Sequence, residues 1–230
     1  MRSGEVRQPP GSLWLSTWSV ASRRQQYLHP CTGKDVNTAS HILIGAAILG
    51  RPSIPAISLS AMVGGLVPDL PMFAMVIWST LVLGLPGEVV FGQLYFSEFW
   101  QTVFSIDHGF LFWGGLFAFS LWLKLAVLHA FAGAGLLHAL ADFLTHHGDA
   151  RRQFWPLSNW VFSSPVSYWD VRHYGAIFAL FEIGVVILLS ILLFLRSQRI
   201  WERALILTVA AAVIVPFVLT GSLHGMSGMG

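Results

Sequence analysis

The amino-acid sequence predicts an all-α fold: a polytopic integral membrane helical bundle with short or re-entrant helices in its first half. Three observations carry this. Of 230 residues, 55% are hydrophobic and only 10% charged, where a soluble domain has about a quarter charged. The apolar residues form blocks separated by turn signals. The last two blocks are long enough to cross a hydrocarbon core of about 30 Å. The formal net charge of +2 provides no basic stripe, so no nucleic-acid partner is expected. Cys31 is the single cysteine, which excludes an intrachain disulfide and a cysteine-built metal site. Histidine is the exception in a chain that otherwise avoids polar groups, with nine copies.

Residues 1–35 differ from the rest. They hold Arg2, Arg7, Arg23, Arg24 and Lys34, adjacent prolines, and no sustained periodicity. The Leu13–Val20 patch is interrupted by Ser and Thr, so it lacks the unbroken apolar stretch of a signal peptide. A mitochondrial-type presequence is the alternative. The expectation is a disordered or non-native N-terminal extension, with the natural start at Val36, from which the chain runs directly into apolar sequence.

From His41 the apolar blocks are roughly 41–50, 54–67, 71–84, 88–105, 108–123, 125–145, 174–195 and 204–220. Gly50-Arg51-Pro52 and Leu85-Pro86-Gly87 supply turn chemistry, and Lys124 marks a further reversal. The early blocks hold ten to fourteen residues. At about 1.5 Å per residue these do not span the core unless broken, re-entrant or packed inside the bundle. The organisation expected is a helical core over 36–175, including an aromatic loop at 146–173, then two transmembrane helices within 176–230. Arg172, Arg196, Arg199 and Arg203 flank those two helices. Glu182 is the one acid inside them. It either pairs, faces a cavity, or sits near a helix end.

Polar groups in such a chain require local explanations, because an ionisable side chain at mid-bilayer costs at least about 2.5–3.5 kcal/mol. His138, Asp142 and His146 stand at i, i+4 and i+8 and stack along one helix face. Imidazole and carboxylate at that spacing share a divalent cation in helical zinc motifs. Thr145 offers a hydroxyl to such a site. Taken alone, Asp69 after Pro68 reads as a helix-end turn or N-cap, and His41 as a solvated terminal histidine. Asp107 reads either as an N-cap for the next helix or as the carboxylate that orients His108. Trp155, Trp160, Tyr168 and Trp169 in the loop suit a membrane-interface belt. Arg151 and Arg152 suit either an anion or charge anchoring at the membrane surface. No Gly-x-Ser-x-Gly and no Walker-type loop is present.

In order, the chain presents His41 with Gly45, Pro68-Asp69, His108, Gly135-Leu-Leu-His138-x-x-x-Asp142-x-x-Thr145, Trp155-Pro156 and Ser164-Pro165. This pattern, over about residues 37–175, resembles the YdjM-like family of membrane-bound metal-dependent hydrolases. That family is distantly similar to zinc-dependent phospholipases C and single-strand-specific zinc nucleases. The resemblance implies metal ligation, most simply of zinc, by His41, Asp69, His108, His138 and Asp142. Two positions depart from the family pattern: Pro71 stands where a second acid is common, and Gly109 where a serine is common. His146 or His147 is available as an additional ligand.

Ligands that share a metal must lie at one depth, so the chain must reverse between them. The turns at 50–53, 85–87 and 124 allow this, with the site at one membrane face beside the aromatic loop. The expected chemistry is hydrolysis by water activated at the metal, with Asp107 or Asp69 as general base and Arg151 and Arg152 binding an anionic group. The expected partners are the lipid bilayer and a small-molecule or lipid substrate such as a phosphate ester. The expected location is the inner (cytoplasmic) membrane, as a multi-pass protein. The rival reading is a metal transporter or a scaffold with a structural His/Asp cluster. Basic residues favour a cytoplasmic site only when residues 1–35 are counted.

Overall fold

The computed structural model describes residues 37–227, with side chains over 38–219. The expectations for residues 1–35 lie outside the described residues. The regular structure of the described residues is all helical, with no strand among them, in the order α1 (Asn37–Leu49), α2 (Pro55–Leu66), α3 (Leu70–Ile77), α4 (Gly87–Val89), α5 (Glu98–Asp107), α6 (Phe110–Trp122), α7 (Ala126–Thr145), α8 (Gly175–Arg196) and α9 (Ile200–Ser227). Five helical stretches are long and apolar enough to cross a membrane: Pro55–Val82, Glu98–Trp122, Ala126–Thr145, Gly175–Arg196 and Ile200–Leu219. Their outer faces are greasy; Ile177, Leu180, Phe181, Leu188 and Leu195 are all exposed along α8, as a lipid-facing surface requires.

Two of these stretches correct the expectation of short early helices. The blocks at 54–67 and 71–84 join into one helical rod, because Val67–Asp69 continues α2 as a 3-10 turn into α3. Pro68 and Pro71 each occupy the first positions of a new helical segment. A proline there has no N–H to lose, so it restarts a helix instead of ending it. The block at 88–105 divides at Tyr95–Ser97, and its second part joins the block at 108–123 as one candidate span, Glu98–Trp122, interrupted at His108–Gly109, where Gly109 is extended. The last helix begins at Ile200, four residues before the expected block, because Ile200–Arg203 already forms its first turn.

The short helix α1 is the centre of the bundle. It packs against α2, α7, α8 and α9, and Leu43 is fully buried with Ala46 beneath Val186, Ile206 and Val213. Close approach is bought with glycine. A Cβ on Gly45 would stand 2.8 Å from the carbonyl oxygen of Ala61, and one on Gly65 would stand 2.6 Å from that of His41. Small residues at such crossings let membrane helices touch backbone to backbone. The turns occur where expected: Gly84 and Lys124 adopt positive φ, and Gly50–Ile54 links α1 to α2. Lys124 closes the α6–α7 hairpin.

The aromatic loop folds back over the end of α7. Tyr168 N–H donates to Thr145 O, Ser164 N–H to His146 O, and Phe110 N–H to Gln153 O. Its far end is pinned at Asp170, which accepts from the backbone and guanidinium of Arg172 and pairs with His173. Arg172 beside it holds the Asp170 carboxyl well below the usual carboxylate range.

Candidate metal centre

α7 supplies two buried polar side chains to one point, His138 and Asp142. They lie one turn apart, with His138 Nε2 3.5 Å from Asp142 Oδ2. His138 Nδ1 is 2.8 Å from the carbonyl oxygen of Gly65. A carbonyl only accepts, so Nδ1 carries the proton and Nε2 presents its lone pair inward. That Nε2 is buried and has no hydrogen-bond partner.

α1 brings His41. Its ring stacks on that of His138 at 3.9 Å between centroids. Its Nε2 comes within 3.0 Å of Asp142 Oδ1, yet neither ring nitrogen is in hydrogen-bonding geometry with any group. The 3-10 turn after α2 brings Asp69. Its Oδ1 is 3.6 Å from His138 Nε2 and 3.4 Å from His108 Nε2, and its Oδ2 accepts from the Thr38 hydroxyl. The break between α5 and α6 brings His108, whose Nε2 is 3.3 Å from Asp142 Oδ2.

The five residues form two overlapping ligand groups, His41–His138–Asp142 and Asp69–His108–His138, with donor atoms inside each group within 4.8 Å of one another. Zinc bonds of about 2.0–2.2 Å in a tetrahedron place neighbouring ligands about 3.3–3.6 Å apart. Most of the separations above fall there. Buried imidazole nitrogens without partners cost free energy, and a cation between them and the carboxylates removes that cost. The nitrogen and oxygen donor set suits zinc and other first-row metals.

The cluster lies inside the bundle, toward one end. The Ser40 hydroxyl, one residue before His41, donates to Glu182 on α8, while Arg196 at the far end of α8 reaches Ala47 O. At about 1.5 Å per residue, Glu182 is about 10 Å from the start of α8 and about 21 Å from Arg196. The cluster therefore sits nearer the end covered by the aromatic loop. Glu182 is a paired, buried acid within the helix and not a group at its end.

The remaining sequence candidates separate clearly. Asp107 is not an N-cap, since Gly109 holds that position without a side-chain bond. It stands behind His108, with Oδ1 2.6 Å from His108 Nδ1, on the side of the ring away from the cluster. It is placed to orient the imidazole, and its other oxygen, Oδ2, is buried without a hydrogen-bond partner. Asp107→Asn is expected to lower metal affinity by about 10- to 100-fold while leaving helix content unchanged; chelator competition measures it. Thr145 bonds back to Ala141 O on its own helix and makes no bond to the cluster.

His146 is buried beside the cluster, 3.9 Å from both Asp142 Oδ1 and Asp149 Oδ2, outside either ligand group. His147 turns into the loop, with Nδ1 2.7 Å from Ser164 O and its ring stacked on His173. Arg152 donates from each of its three nitrogens, to Ser105, Glu98 and Thr102 along α5. Arg151 is buried between the Tyr95 and Phe104 rings, donating to Tyr95 OH and to Asp149 O. Burial pushes the Tyr95 hydroxyl pKa well up. Arg151 Nε, Asp149 Oδ1 and Gln153 Oε1 are buried without partners. Sequence reasoning missed Asp149, Gln153, Tyr95 and Thr38; polar residues inside an aromatic stretch were the available signal for the first two.

Comparisons with protein-family models, curated proteins and solved structures find no match.

Proposed function

We propose that this chain is a membrane-bound metal-dependent hydrolase of the YdjM-like kind. In this reading His41, Asp69, His108, His138 and Asp142 hold zinc, and the substrate is a phosphate ester or lipid headgroup. One observation carries it: buried Nε2 atoms and carboxylate oxygens converge at ligand spacing, and those of His41 and His138 make no hydrogen bond. The outer nitrogens of His138 and His108 are anchored on Gly65 O and Asp107, the arrangement that fixes ligating imidazoles.

A divalent cation held here lowers the pKa of a water toward about 7 and polarises the ester. The protein's own groups do the rest. Thr38 holds one oxygen of Asp69 and leaves the other facing the histidines, so Asp69 serves as general base only where that oxygen is not itself a ligand. Arg151, fixed by two rings, is the cation for an anionic group. The aromatic loop covers the cluster and limits water. A substrate reaching the site from the bilayer would be a lipid.

Purified protein is expected to carry about one zinc per chain, measured by elemental mass spectrometry, and to cleave phosphodiester or phosphomonoester lipids. Chelation should stop turnover and added zinc restore it. Protein that neither carries nor takes up a transition metal overturns the reading. The transporter alternative has its own support: Asp69 and His108 lie at interruptions inside two candidate spans, as in carriers built on broken helices. Metal uptake into sealed proteoliposomes, without turnover on any ester, would decide for it.

A further inference from the structure

A second polar group lies at the opposite end of the bundle. A shallow groove, open to its surroundings, runs between α1, α2, α8 and α9. Leu59, Met62, Leu193 and Ile206 line its apolar part, and Arg196, Ser197 and Glu202 its mouth. Glu202 is only 7% exposed. Its Oε1 pairs with Arg199 at 3.2 Å, whereas its Oε2 is buried without any hydrogen-bond partner. The first turn of α9 favours a carboxylate there, but no N–H of that turn reaches Oε2. The same end carries Arg51, Arg196, Arg199 and Arg203, all exposed, and the half-exposed Trp201. Arginines and tryptophan at the ends of two membrane helices mark headgroup depth.

We propose that this groove binds a phospholipid with a zwitterionic, primary-amine headgroup. Charge complementarity selects that occupant. The arginines supply donors for a phosphodiester, and the orphaned Glu202 oxygen requires a donor, which an ammonium provides and a phosphate does not. The apolar lining receives an acyl chain. A lipid with an anionic headgroup satisfies the arginines but offers Glu202 at most a neutral hydroxyl, a weaker donor than an ammonium. A trimethylated amine has no N–H to give. The proposal does not depend on the reading of the His/Asp cluster.

The test is native mass spectrometry of the full chain, released from nanodiscs that contain equal phosphatidylethanolamine, phosphatidylcholine and phosphatidylglycerol. Phosphatidylethanolamine is expected to be retained over phosphatidylcholine by about tenfold or more, the effect of one hydrogen bond to a charged group. Retention should fall stepwise as the amine is methylated once, twice and three times, a series that uses only the unaltered protein. Glu202→Gln should abolish the preference, and Arg196→Ala should weaken retention of every phospholipid. Equal retention of the three lipids overturns the proposal. So does preferential retention of phosphatidylglycerol, or a preference for the primary amine that survives Glu202→Gln.

Discussion

His138→Ala is expected to lower metal affinity by more than about 100-fold, beyond what loss of an orienting partner produces. His138 belongs to both ligand groups, so its removal leaves no complete set of three. His41→Ala or His108→Ala breaks one group and leaves the other intact. The expected order of metal retention is therefore wild type, then either of those single variants, then His138→Ala, as read by elemental analysis after dialysis against a weak chelator. Equal losses in all three variants would mean that the five residues do not form two overlapping sets. His138→Ala also leaves Gly65 O without its buried donor, which costs about 1–3 kcal/mol of stability. Comparing thermal unfolding with and without added zinc separates that cost from loss of the metal. The zinc-dependent increment should vanish in His138→Ala.

Gly64→Ala should match that effect without touching a ligand. A Cβ at Gly64 would lie 2.1 Å from the carbonyl oxygen of Phe131. Both atoms belong to helix backbones, so α2 and α7 must separate. Overpacking of this kind costs about 1–3 kcal/mol or more. The next residue, Gly65, carries the carbonyl that orients His138, and Asp69 follows one turn later. Separating these helices therefore pulls the cluster apart along its longest seam. The expected result is lower thermal stability together with lost metal binding. Gly114→Ala on α6 is the control, because a Cβ there meets nothing within 4 Å and both properties should remain. Full metal binding in a folded Gly64→Ala protein would show that the α2–α7 contact does not position the ligands.

The members of the buried His/Asp cluster were legible because their information is local or ordinal. His138 and Asp142 announce themselves by i, i+4 spacing, and the other three by standing at the ends of apolar runs. The helix boundaries were harder for a physical reason. Pro68 read as a stop, yet a proline in the first turn of a segment is tolerated, so two short blocks became one span. Asp107 was ambiguous between capping and orienting, and only the extended backbone at Gly109 decides it. The links Thr38–Asp69, Ser40–Glu182 and Arg151–Tyr95 cross long stretches of sequence and leave no periodic trace. They arise from tertiary packing, which spacing does not encode. Nothing local in the sequence marks Glu202, one of whose oxygens is buried without a partner.

The enclosed helix α1 bears on how the cluster is completed. Its 13 residues give about 20 Å of rise, short of a hydrocarbon core of about 30 Å. Thirteen helical residues do not span the core, so the place of α1 in the bundle depends on its packing against α2, α7, α8 and α9. The lipid-facing helices close around it. Since α1 carries His41, Ser40 and Thr38, the hydrogen bonds to Asp69 and Glu182 form only when α1 docks. The His/Asp cluster is therefore complete only when α1 has docked, since His41 is one of its five members.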